Sequence, residues 1–161
     1  MSSVATRVSP EEYLERERKA ETKSEYGNGE IVAMAGASFV HAQIISNLTF
    51  QIRSGLRDQQ CSVLSTDLRL AVRAANLYTY PDMMVICGQP ALADDRRDIV
   101  SNPVILIEVL SKLTQDYDRG EKFASYRTIP SLMDYLTVAQ DKVQIEALVP
   151  PTRPALAAQR I

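Results

Sequence analysis

What this chain lacks narrows its reading before any motif does. It has no basic excess: the net charge is −2 and the pI near 5.5. That is not the profile of a strong non-specific nucleic-acid binder, so any surface for a polyanion has to be local. Arg53, Arg57, Arg119, Lys122 and Arg127 are the candidates for it. Cysteine is scarce. Cys61 and Cys87 are the only two, and they lack metal-ligand spacing. They lie in apolar, strand-like stretches and read as reduced and buried, as in a cytoplasmic protein, with a disulfide between them as the alternative. The segment Met1 to Pro10 is polar and has no apolar signal core. No apolar run approaches the roughly 20 residues of a membrane span. Internal repeats and a phosphate-cradling glycine loop are also missing.

What remains is ordinary globular material. The chain has 161 residues, 45% hydrophobic and 24% charged, which suits a single core. The expected division is one domain over residues 1–149 and an irregular tail over 150–161. Pro150, Pro151 and Pro154 cannot extend a sheet.

The pattern predicts helix, hairpin, helix, three strands, helix, two strands. Ser9-Pro10-Glu11-Glu12 is a helix start, with a capping serine, proline at the first position and acids in the first turn. Asn28-Gly29 marks a two-residue turn between Glu25-Tyr26-Gly27 and Glu30 to Met34. Ser38 caps a long helix to about Arg57, with Val40, Ile44, Ile45, Leu48, Ile52 and Leu56 on one face. Strands are expected over Cys61–Val72, Tyr78–Cys87, Val104–Leu110, Leu132–Ala139 and Val143–Val149. Ala91 to Asn102 reads as a solvated polar loop. Asp118, with Glu121 three residues on, reads as the cap of a further helix. The fold class is therefore α/β (α+β), a mixed sheet flanked by helices.

Two of these strands carry the chemistry. Asp82 sits in Tyr80-Pro81-Asp82-Met83-Met84-Val85-Ile86, and Glu108 in Val104-Ile105-Leu106-Ile107-Glu108-Val109-Leu110. A carboxylate in so apolar a run is costly unless something compensates it. Side by side, the two strands would bring both acids to the edge of one core, which is what a divalent cation needs. The plainer alternatives are a strand-end Asp82 bonded to loop amides and a Glu108 facing solvent from an edge strand. Lys122, on the helix after Glu108, can reach back to the site or be a surface lysine, and Lys112 is its rival. Glu25 can be a third acidic ligand or one half of a surface ion pair. His41, the one histidine, can serve as a base or phosphate contact or sit idle at a helix end.

The combined pattern resembles a family. Glu25…Gly29-Glu30-Ile31, Ala35-Gly36-Ala37-Ser38-x-x-His41, Tyr80-Pro81-Asp82, Asn102-Pro103-x-x-x-x-Glu108-Val109-Leu110-Ser111 and Tyr117-Asp118-Arg119-Gly120-Glu121-Lys122-Phe123-x-x-Tyr126 are similar to the motifs of the Uma-type family. That family groups predicted bacterial restriction endonucleases within the PD-(D/E)XK nuclease superfamily. The resemblance covers about residues 9 to 146, and past Glu146 the tail departs from the family's closing strand.

The resemblance implies a restriction-endonuclease-like fold and a Mg²⁺-type (or Mn²⁺-type) site. Asp82 matches the first acid and Glu108 the second. The superfamily's lysine belongs two residues after the second acid, where Leu110 stands. Lys122, on the following helix, matches the migrated position, while Glu25 and His41 match the remaining ones. The activity this resemblance implies is that of a metal-dependent endonuclease acting on DNA, with Asp82, Glu108 and Glu25 as metal ligands and Lys122 and His41 as catalytic groups. A homodimer would suit cleavage of two strands. The competing reading is a non-catalytic binding or interaction module on the same fold.

Overall fold

The computed structural model describes residues 7–65 and 67–150. Helix α1 (Pro10–Glu17) opens the chain, with the Ser9 hydroxyl accepting from the Glu12 amide at 3.1 Å. Strands β1 (Ser24–Gly27) and β2 (Glu30–Ala33) come next as a hairpin. Its turn needs positive φ at both central positions, and Asn28 and Gly29 supply +50° and +96°. Helix α2 spans Phe39–Gly55. Beyond it lie β3 (Cys61–Ser65), β4 (Arg69–Val72), β5 (Leu77–Thr79), β6 (Met83–Cys87), β7 (Ile99–Val100) and β8 (Ile105–Val109). A helical segment is made of α3 (Gln115–Tyr117), a π-helical turn over Asp118–Lys122, and α4 (Phe123–Tyr126). Strands β9 (Asp134–Val138) and β10 (Ile145–Leu148) close the sequence of elements.

The strands form two five-stranded sheets, ordered β2-β1-β5-β4-β7 and β10-β9-β8-β6-β3. Each is mixed, with one parallel pair apiece, β4 with β7 and β8 with β9. Strand β8 is interior to its sheet, so Glu108 does not face solvent from an edge. Side chains alternate across the second sheet. Met84, Ile86 and Leu106 meet Leu70, Val72 and Leu77 of the first sheet. Met83, Ile107 and Val109 point the other way, onto Ile45 of α2. Glu108 shares the parity of Leu106 and so faces the space between the sheets.

Several expectations change. Neither long central strand is continuous. Cys61–Val72 divides into β3 and β4, and Tyr78–Cys87 into β5 and β6, with each half in a different sheet. Pro81 lacks the N–H a ladder requires, and the chain crosses between sheets at Tyr80-Pro81-Asp82. Asp82 thus lies at the crossing rather than within a strand.

The segment Ala91 to Asn102 is not merely solvated. It contains β7, whose two residues are buried, and its Asp94 and Asp98 clasp Arg18. That guanidinium holds the Asp98 carboxyl below its ordinary range. Asp118 is not the N-terminal cap. Thr114 holds that position, and Asp118 is buried inside the helical segment. On α2 the apolar face is only partly covered: Ile45 is buried, whereas Val40 is exposed. Cys61 and Cys87 oppose each other in the β3–β6 ladder and are joined as a disulfide, Cα atoms 4.0 Å apart. Cys87 is exposed, so the expectation of two reduced, buried thiols is corrected. The tail beyond Pro150 lies outside the described residues. No described helix is long and apolar enough to cross a membrane.

Leu106 is fully buried where the sheets meet, and Phe50 on α2 is 69% exposed. Leu106→Ala should cost about 2–5 kcal/mol of stability, the range for a buried leucine that leaves a cavity. Phe50→Ala should stay within about 0.5 kcal/mol. Urea denaturation of the two variants beside the wild type checks both.

Candidate active site

Glu25 on β1, His41 on α2, Asp82 at the sheet crossing, Glu108 on β8 and Lys122 in the π-helical turn line one cavity of about 890 Å³. It opens between the ends of the two sheets and the N-terminus of α2. Asp82 and Glu108 are locked together by the backbone. The Asp82 amide donates to Glu108 Oε2 at 3.3 Å, and the Val109 amide donates to Asp82 Oδ2 at 2.8 Å. The antiparallel β6–β8 pairing, with Met83 opposite Ile107, makes this possible.

His41 reaches the same Asp82 oxygen, its Nε2 lying 3.1 Å from Oδ2. With a carboxylate as partner, Nε2 is assigned the proton. The hydrogen bond to Asp82 raises the imidazole's pKa, and burial opposes the rise. His41 is held in place through α2's first turn. The Ser38 hydroxyl accepts from the His41 amide and donates to Gln140 Oε1, both at 3.1 Å. Gln140 Nε2 in turn donates to the Leu110 carbonyl at 2.9 Å. The α2 cap is thereby tied to the end of β8.

Lys122 is the electrostatic centre. Its Nζ lies 3.0 Å from Glu108 Oε1, 3.1 Å from Glu25 Oε1 and 3.6 Å from Asp118 Oδ1. The position two residues after Glu108 is Leu110, buried and apolar. The cation comes instead from the helical segment, at a π turn, a feature frequent at functional sites. Burial alone would pull the ammonium's pKa down. Glu108, Tyr126, Glu25 and Asp118 together hold it well above the ordinary lysine value.

Glu108 behaves oppositely. Burial pushes it up to about 8, against the pull of Lys122 and with the help of Asp82 and Asp118. Tyr126 completes its shell, donating to Glu108 Oε1 at 2.8 Å. Glu25 accepts from the Thr79 hydroxyl on neighbouring β5.

Sequence reasoning missed Asp118, Tyr126, Thr79 and the Ser38–Gln140 link. Asp118 and Tyr126 stand four residues either side of Lys122, the spacing of one helical face. That spacing was the available signal. Thr79 and Gln140 are brought in only by the tertiary fold. Lys112, the rival lysine, is exposed on the cavity wall. Of the cations considered for a basic surface, Lys122 is buried in the cluster and Arg119 pairs with Glu146. Arg57 lies beside Asp58.

Among the described residues no group of three or more His, Cys, Asp and Glu side chains is arranged to enclose a metal ion. The donor set still fits a Mg²⁺-type ion. Such ions are held by one or two carboxylates, with water and substrate phosphate making up the rest. Among the described residues both hydrogen bonds to the Asp82 carboxylate fall on Oδ2, and none falls on Oδ1. Glu108 Oε2 takes only the Asp82 amide.

Comparison with known proteins agrees with this architecture. Residues 10–161 match the Uma2 family, described as "Putative restriction endonuclease". The chain belongs to the Uma2 family. The match runs past Glu146, where the motif resemblance had ended. Two relatives come from Synechocystis sp. (strain ATCC 27184 / PCC 6803 / Kazusa). Uncharacterized protein sll1609 is 39% identical over 135 residues, covering 84% of this chain and 76% of its own. Uncharacterized protein slr1290 is 37% identical over 142 residues, covering 87% and 73%. The crystal structure of "a putative nuclease belonging to DUF820" from Anabaena variabilis ATCC 29413 superposes with a TM-score of 0.72. It is 19% identical and covers 89% of this chain and 80% of its own. The Uma2 chain thus has the α+β, restriction-endonuclease-like fold that its motifs implied.

The geometry also sets a pH dependence. Glu108 takes up a proton on folding between its ordinary 4.5 and about 8. The folded state binds more protons than the unfolded one in that window, so stability falls as pH rises through it. Urea denaturation in metal-free buffer at about pH 5 and about pH 8 should show the loss. Glu108→Gln keeps the shape without the titration and should flatten it; an unchanged slope would assign the linkage to another group.

Proposed function

We propose that this chain is a metal-dependent endonuclease that hydrolyses DNA phosphodiester bonds. The observation that carries the reading is the convergence of Asp82, Glu108 and Lys122, from three separate segments of the chain, in one cavity of a restriction-endonuclease-like fold. Asp82 and Glu108 would hold Mg²⁺ or Mn²⁺, with Glu25 as a third carboxylate beside them. Bound there, the ion would supply Lewis-acid polarisation of a phosphoryl oxygen and a water of lowered pKa.

The chain's own groups do the rest. Lys122 keeps its proton and offers positive charge to the phosphate as negative charge develops in the transition state. Tyr126 and Lys122 hold Glu108 by Oε1, turning Oε2 toward Asp82. His41, fixed by the Ser38 cap, orients Asp82 through Oδ2 and can exchange the proton on its Nε2. The expected homodimer would set two such sites side by side.

A second reading, a non-catalytic module on the nuclease fold, is favoured by one observation. The Lys122 ammonium already pairs with both Glu108 and Glu25, two of the acids that would hold the ion. Calorimetric titration with Mg²⁺ and Mn²⁺ separates the two readings. The wild type should bind and Asp82→Ala/Glu108→Ala should not; no binding to the wild type, even with DNA present, favours the module.

Turnover gives a finer check. Asp82→Ala and Glu108→Ala should each lower metal-dependent DNA cleavage by at least about 100-fold while far-UV circular dichroism stays native. Lys122→Ala should depress turnover more than metal affinity. If Lys112→Ala does so instead, the lysine is wrongly assigned.

A further inference from the structure

We infer that the strand this site admits is unpaired, so that the chain takes single-stranded DNA in preference to a duplex. The inference rests on the nuclease reading above and goes beyond it in naming the form of the substrate. It starts from burial. Glu108, Asp118 and Lys122 are only 4–5% exposed, at the inner wall of the cavity. At about 890 Å³ the cavity falls within the roughly 300–1,000 Å³ of clefts that enclose small ligands. That is room for a nucleotide or two, not for a double helix. Duplex DNA is stiff over about 150 base pairs, and its phosphates stay on the outside of the rod. A single strand can bend one phosphate inward.

The mouth has the chemistry an unpaired strand uses. Tyr117 (37% exposed) and Leu113 (91%) line it, and Phe39 (80%) directly follows the lining Ser38 in the first turn of α2. Leaving such side chains in water is unfavourable, and the faces of unstacked bases would cover them. Interleaved with them are Lys112 and Lys142, both exposed on the cavity wall and with no ion pair among the described residues. Aromatic platforms alternating with cations are the means by which proteins hold single strands without reading sequence. A duplex offers cations its phosphates but keeps its base faces stacked, so it would leave Phe39 and Leu113 uncovered. Helix α2, which starts at Phe39 beside the mouth and runs away from it, has no acidic residue from Phe39 to Gly55 to repel a backbone leaving along it.

The test is fluorescence anisotropy with a labelled oligodeoxynucleotide of roughly 20 residues, alone and annealed to its complement, with Ca²⁺ replacing Mg²⁺. The single strand should bind at least about tenfold more tightly than the duplex. Phe39→Ala, which alters an exposed side chain, should weaken single-strand binding about tenfold. Lys112→Ala/Lys142→Ala should reduce the slope of log affinity against log salt by about 1.4. Equal or tighter binding of the duplex overturns the inference, and so does Phe39→Ala binding like the wild type. Mg²⁺-dependent cleavage tells the failures apart. If duplex is cut and single strand is not, this inference falls and the nuclease reading stands. If neither is bound nor cut, both fall.

Discussion

The structure turns on one buried ammonium. Lys122 is held by Glu25 from the first sheet, Glu108 from the second and Asp118 from its own helical segment. No other group among those described bridges all three. Burying a single charge is expensive, and burying one carboxylate without a partner drives it to its neutral form. Here several acids share one cation, and the cation is fixed because they do. Removing the lysine would leave three acids facing one another across the seam of the two sheets. The same arrangement leaves more negative than positive charge at the inner wall, which is the electrostatic condition under which a divalent cation is welcome.

Rigid backbone supports that cluster. Asp82 and Glu108 are joined by amides rather than by long side chains, so their spacing is set by the β6–β8 register. Slipping that register by one residue would turn Glu108 to the α2 face and dissolve the site. His41 is placed by a helix cap, and the cap is anchored through Gln140 to the end of the strand bearing Glu108. Local rules of helix initiation thus fix the position of a group aimed at the candidate metal site.

The sequence made some of this legible and hid the rest. The Asn28-Gly29 turn, the Ser9 and Ser38 caps and the central strand around Glu108 were readable because each depends on neighbours in the chain. The division of strands at Pro81 was not read, although its cause is local, because an apolar run looks alike whether or not it changes sheets. Asp118 resembled a cap because its sequence context fits a capping box. Its burial comes from the π turn, which no short-range pattern announces. The gathering of Glu25, His41, Asp82, Glu108 and Lys122 in one cavity was expected from motif resemblance. The partners Thr79 and Gln140 emerge from packing alone, whereas Tyr126 stands at helical spacing from Lys122.

The bond between Cys61 and Cys87 has a topological consequence. The chain leaves the second sheet at β3, contributes β4 and β5 to the first, and returns as β6 through the Asp82 crossing. With the sulfurs joined, that entire excursion is a covalent ring, and Asp82 is one of its members. A protease that cuts the backbone inside the ring releases nothing. Both halves stay attached, and the two sheets remain parts of a single molecule.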